Sequence, residues 1–88
     1  MLEAACVRAT EAVLMWAHVR PDGEPWWTVL LGRGLWGTFT EVLAHAEDWE
    51  NAFLGWWSSP SHSWALDNAV EQAACQVGNY FAIIVRLQ

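Results

Sequence analysis

The sequence predicts an α+β fold: a two-layer sandwich with a mostly antiparallel sheet, made of an N-terminal hairpin plus a C-terminal strand, and two helices on one face. Three observations carry this reading. Pro21-Asp22-Gly23-Glu24-Pro25 is a turn set between stretches rich in β-branched and aromatic residues. Two later stretches repeat apolar side chains at helical spacing. The chain closes on Tyr80-Phe81-Ala82-Ile83-Ile84-Val85-Arg86-Leu87, which has the β-branched, aromatic character of a strand. With 88 residues the chain makes one compact domain, 1–88. A domain of this size buries roughly 60–65% of its unfolded surface, so association with a partner would help it.

Taken in order, residues 2–8 read as a strand leading into the hairpin. The rival is a helix over Leu2–Trp16, where Leu2, Cys6, Ala9, Val13 and Trp16 recur at helical spacing. Val13–Val19 and Trp26–Leu31 are the two hairpin arms, and the prolines of the turn end their pairing. Thr38 and Glu41 fit a capping box. The helix they open runs to about Trp57, with Phe39, Val42, Leu43, Ala46, Trp49, Phe53 and Trp57 on its apolar face, and Ser58-Ser59-Pro60 ends it. Ser63 caps a second helix carrying Leu66, Ala69, Val70, Ala73, Ala74 and Val77 on one side, with Gly78 at its C′ position. This arrangement leaves an outer sheet face of Leu14, Trp16, His18, Trp26, Thr28, Leu30, Tyr80, Ala82 and Ile84. Such a face is apolar where an antiparallel sheet normally presents polar residues to solvent.

Composition narrows the function. Eight tryptophans stand at positions 16, 26, 27, 36, 49, 56, 57 and 64. Each large aromatic can bury ~150–250 Å², which is more than so small an interior absorbs, and surface Trp is a frequent binding anchor. The formal net charge is −6. From Gly34 to Val85 there is no Lys or Arg, while Glu41, Glu47, Asp48, Glu50, Asp67 and Glu71 fall there. A surface of that sign repels nucleic acid and favours a protein with a basic surface. Arginine supplies every basic position and alanine is abundant, a usage that suggests a bacterial or phage source. The start Met1-Leu2-Glu3 has no basic n-region and the longest apolar run is Ala12–Ala17, so neither a signal peptide nor a membrane contact is expected. Cys6 and Cys75 show no paired spacing and read as two reduced thiols of a cytoplasmic protein.

Catalysis finds no support. His18, His45 and His62 lack a nucleophile and an orienting acid at recognisable spacing, and Ser61-His62-Ser63 reads as a polar loop ahead of a helix. His45, His62 and Cys75 share no element and make no metal motif, so no cofactor is expected. The expectation is therefore a non-enzymatic, Trp-rich protein-binding module: an inhibitor that occupies a basic surface of a nucleic-acid-handling protein, as small phage-encoded inhibitors such as anti-CRISPR proteins do. Its contact residues would be Trp16, His18, Trp26 and Tyr80 on the outer sheet face, the acids Glu47, Asp48 and Glu50, and Trp64 on the second helix. Two other classes stay open. One is a small-ligand binder with an aromatic pocket and His18 at its mouth; the other is a homodimer closed through the outer sheet face.

Overall fold

The computed structural model describes the whole chain, Met1–Gln88. Its element order is α1 (Leu2–Leu14), a short 3-10 helix (Trp26–Leu30), β1 (Phe39–His45), α2 (Trp49–Trp57), α3 (Pro60–Asp67), β2 (Glu71–Val77) and β3 (Tyr80–Arg86). The fold is α+β with a three-stranded antiparallel sheet in the order β1-β3-β2, and α2 and α3 pack on one face of it. The sheet membership differs from the sequence reading, and α1 adds a third layer on the other face.

The N-terminal hairpin is not part of the sheet. Residues 2–14 are helical, because Ala, Leu, Glu and Arg dominate them and no glycine or proline interrupts. The buried side of α1 is Ala4, Ala5, Arg8, Ala9 and Ala12. The four alanines let the helix lie close on the sheet against Leu43, Ala82 and Ile84. The Pro21–Pro25 turn is present, but the expected arms meet only at a single bridge, Val19 with Pro25. Past Pro25 the chain winds into the short helix, which buries Val29 against α1.

Both long predicted helices divide into a strand and a helix. Residues 39–45 form β1, since Phe39, Thr40 and Val42 suit a pleated surface, and the Thr38–Glu41 spacing caps nothing. The actual N-cap of α2 is Asp48, whose carboxylate accepts from the Asn51 amide at 2.8 Å. Pro60 opens α3 at its first turn. After Asp67 the chain extends into β2, so Ala73, Ala74 and Val77 belong to a strand. Gly78 is a turn residue: with φ +60° it takes the first position of the two-residue turn joining β2 to β3, where a hairpin favours glycine.

β3 forms as expected and is the centre of the molecule. Phe81, Ile83 and Val85 point to α2 and α3, where they meet Val42, Ala52, Trp56, Ala65 and Leu66. The indole N–H of Trp56 donates to the Leu43 carbonyl at 2.9 Å, so this ring is buried without an orphaned donor. Ala82 and Ile84 point the other way and are fully buried under α1. The apolar outer sheet face of the sequence reading therefore does not exist: Ala82 and Ile84 are covered by α1, Tyr80 lies at the end of the sheet, and Leu14, Trp16, His18, Trp26, Thr28 and Leu30 lie on no strand. A homodimer seam through that face has no surface to use.

The cysteines are also corrected. Cys6 on α1 and Cys75 on β2 form a disulfide, because the helix crosses the α1 side of the sheet at the Cys75–Ala82 pair. No helix is long and apolar enough to cross a membrane.

A histidine cleft held by a buried ion pair

The one buried ion pair of the protein joins the two sides of the α1 layer. Arg8 on α1 and Glu41 on β1 have side-chain exposures of 0% and 1%. They meet as a two-pronged pair, Arg8 Nε to Glu41 Oε2 at 2.8 Å and Arg8 Nη2 to Glu41 Oε1 at 2.9 Å. Two further guanidinium donors reach Glu11 Oε1 and the Ala17 carbonyl, each at 2.8 Å. Glu11 in turn is gripped by Arg20, whose Nη1 also reaches Thr28 Oγ1 at 3.3 Å. The network thus ties α1 to β1, to the segment after α1 and to the start of the short helix.

Glu41 has a third partner. His18 Nδ1 lies 2.8 Å from Oε1, and the His18 side chain is 57% exposed. Burial acts to raise the Glu41 carboxyl, but hydrogen bonds from Arg8 and His18, with their charges, outweigh it and hold the group below the usual carboxylate range. For Arg8 the same burial works against the charge, and the bonds to Glu41 and Glu11 hold the guanidinium above its ordinary range. Glu41 is therefore an ionised, acceptor-only carboxylate, so His18 must present Nδ1–H to it. Whenever the ring is neutral, that fixes its tautomer and leaves Nε2 as an acceptor on the exposed side.

His18 does not stand on open surface. It lines a cleft of about 260 Å³ with Trp26, Thr40, Glu41, Val42, Ser61, His62 and Ala65. The Pro21–Pro25 turn builds one wall, since Trp26 N donates to the His18 carbonyl at 3.3 Å and holds the two residues side by side. β1 supplies Thr40, Glu41 and Val42, and the first turn of α3 supplies Ser61 and His62. Two imidazoles, two hydroxyls and an indole thus line the cleft beside one ordered carboxylate. His18 Nε2 can accept a proton or a hydrogen bond from a bound molecule, and His62 and the hydroxyls can orient it. Neither imidazole is hydrogen-bonded to a hydroxyl or a thiol, so no activated nucleophile is assembled. No three His, Cys, Asp or Glu side chains are placed to hold a metal ion.

The structure scatters the other residues singled out from the sequence. Of the expected face, only His18 and Trp26 meet in the cleft. Trp16 and Tyr80 do come together, with ring centroids 5.9 Å apart, but at the end of the sheet with His45, which stacks on Tyr80 at 4.4 Å. Glu47, Asp48 and Glu50 are exposed at the start of α2 rather than along a helix flank. Acids there favour the positive end of the helix dipole, and Asp48 also caps the Asn51 amide, so they have a structural use. Trp64 is exposed on α3 beside a depression lined by Thr38, Asn68, Leu87 and Gln88.

Sequence reasoning missed Arg8, Glu41, Ser61 and His62 as site residues. A signal existed for two of them. Arg8 falls among the alanines of an apolar helix face, and Glu41 interrupts an apolar run, so each is a charge in a buried position that needs a partner.

Fold and cleft together define a class: a three-layer α+β domain with a carboxylate-oriented histidine in a small polar cleft. No family model matches the chain, and neither a curated protein nor a solved structure matches it.

Proposed function

We propose that the protein is a non-enzymatic small-ligand-binding domain whose site is the cleft of His18, Thr40, Ser61 and His62. The observation that carries this reading is the buried Arg8–Glu41 pair that fixes the His18 ring at the cleft. An oriented acceptor, a second imidazole and hydroxyls against an indole wall suit a small polar molecule with hydroxyl or amine donors and a flat or apolar side for Trp26. The test passes a small-molecule extract of the producing cells over immobilised protein and compares it with His18→Ala/His62→Ala. Retention of a compound by the wild type alone supports the reading; identical retention by both proteins sinks it. Adding nucleotides, sugars and choline-type cations while observing the His18 and His62 Hε1 resonances then sorts the ligand class, with His45 as a reference outside the cleft.

A second reading rests on a different observation. Trp16, Trp27, Trp36, Trp57 and Trp64 are each about half exposed or more, with Trp36 at 76%. Indoles in such positions suit contact with a protein, and the net charge of −6 favours a basic one. On this reading the chain is an inhibitor from a bacterial or phage setting, working in the cytoplasm. Salt-sensitive association with a basic nucleic-acid enzyme, weakened by Trp36→Ser or Trp64→Ser, is its test.

A further inference from the structure

The disulfide and the buried ion pair hold the same helix at opposite edges of the sheet. β1 and β2 are the two edge strands, with β3 between them. Cys6 ties α1 to Cys75 on β2, and Arg8, two residues on, ties it to Glu41 on β1. On either side of those two residues α1 offers the sheet the methyl groups of Ala4, Ala5, Ala9 and Ala12, with Met1 and Val7 packed beside them. Its N-terminus has no side-chain cap and its last turn carries no basic residue. With such small side chains along the contact, the disulfide and the ion pair are the two directional ties of α1 to the sheet edges.

The other layer has a core of its own. Val42, Phe81, Ile83 and Val85 form their own core with Ala52, Trp56, Ala65 and Leu66. Both half-cysteines are partly exposed, and β2 has no strand on its far side. Cys6 also lines an open depression with Glu3, Val7, Thr10 and Glu11, which gives a reductant a way in.

We propose that the Cys6–Cys75 disulfide is a redox-addressable clamp: its reduction loosens α1 and withdraws Arg8 from Glu41, while the α2–α3 core stays folded. A dithiol reductant acts in two exchanges. Its thiolate attacks Cys6 Sγ, and Cys75 leaves as a thiolate that takes up a proton. The second thiol of the reductant then closes on the mixed disulfide and releases Cys6, so the protein gains two hydrogens and the reductant is oxidised to its cyclic disulfide. Without Arg8, Glu41 loses its main partner, and His18 in the cleft loses the anchored carboxylate behind it. This last consequence rests on the cleft being the functional site; the clamp itself does not.

The experiment uses the full ¹⁵N-labelled chain, oxidised and in excess dithiothreitol, with no ligand added. Amide exchange along α1 and the Arg8 Nε–H resonance report the clamp; the Trp56 indole N–H, bonded to the Leu43 carbonyl, reports the opposite core. On reduction, exchange at Ala5, Ala9 and Ala12 is expected to accelerate about tenfold or more, as for a locally opened unit. The Arg8 Nε–H should broaden into solvent exchange while Trp56 keeps its protected signal. Cys6→Ser/Cys75→Ser should show the same pattern with no response to the dithiol. Unchanged α1 exchange in reduced protein overturns the proposal. So does loss of the Trp56 signal together with α1, because the disulfide is then a staple of the whole fold. A ligand that fails to bind leaves these readouts untouched, so the clamp and the binding reading fail separately.

Discussion

Replacing Arg8 by Met keeps the length and most of the volume of the side chain but leaves the Glu41 carboxylate buried without its main partner. Removing one member of a buried pair typically costs ~3–5 kcal/mol, because the charge left behind has lost both water and counterion. His18 remains beside Glu41 and softens the loss, which places the expected cost near the lower end, about 3 kcal/mol. A chain of this length has a total stability of roughly 4–13 kcal/mol at ~0.05–0.15 kcal/mol per residue, so the effect is a large share of the whole. In urea, with a slope of ~1–1.5 kcal/mol/M for a small domain, the midpoint should fall by about 2–3 M. The informative comparison is Arg8→Met/Glu41→Leu, which removes both charges and fills the space with apolar atoms. That variant should unfold within about 1 kcal/mol of the wild type, since an apolar replacement of a buried pair is often neutral. Both are measured with the disulfide intact. If the single and double variants are equally destabilised, lost packing is responsible, and the uncompensated charge on Glu41 is not.

Three further outcomes are expected. Glu41 sits below its unfolded-state value, so its contribution is present above the ordinary glutamate pKa of ~4.3 and is lost as pH falls through the lower, folded-state value; urea midpoints measured from pH 6 down to pH 2 should fall over that acid window, and less steeply in Arg8→Met/Glu41→Leu. Gly37 has φ +122°, and a Cβ there would overlap the Gln88 carbonyl oxygen, so Gly37→Ala should destabilise by ~1–3 kcal/mol, whereas Gly55→Ala, in helix α2 with open space around it, should stabilise by ~0.5–1 kcal/mol by thermal melting. Asp48→Ala removes the N-cap of α2 and should cost ~1 kcal/mol, while Glu47→Ala beside it, which caps nothing, should stay within ~0.5 kcal/mol in the same melts.

The legible and illegible parts of the fold divide by the range of the forces that decide them. β3 could be read because its own residues specify a strand, although Gly78 before it reads as a helix end and is in fact the hairpin turn. The Pro21–Pro25 turn could be read for the same local reason. The two long helices could not be separated into strand and helix, because Val42, Leu43, Ala46, Trp49 and Phe53 satisfy helical spacing even though β1 ends at His45. There the pairing of β1 with β3 outweighs the local pattern, a non-local term that spacing does not contain. The third layer did leave a trace. Ala82 and Ile84 alternate with Phe81, Ile83 and Val85, and an apolar residue at every position of 81–85 marks a strand covered on both faces. Of the site, His18 and Trp26 were named from the sequence, but their companions Glu41 and His62 arrive from β1 and α3, and only the folded chain brings them together.

The buried pair is also what separates a structural role from a functional one in this molecule. Stability alone does not require it, since two apolar residues of similar volume would serve the α1–sheet contact about as well. Nor does the pair close on itself: four of the five guanidinium donors are used inside, but one carboxylate oxygen is shared with a histidine that is more than half exposed. A network built only to hold α1 down would have no need of that outward branch. Arg8→Met/Glu41→Leu tests the distinction directly, because it should leave the fold standing and abolish whatever the cleft retains. A double variant that folds and still retains the same compound as the wild type would show that His18 needs no carboxylate behind it, and the branch would then be incidental to the site.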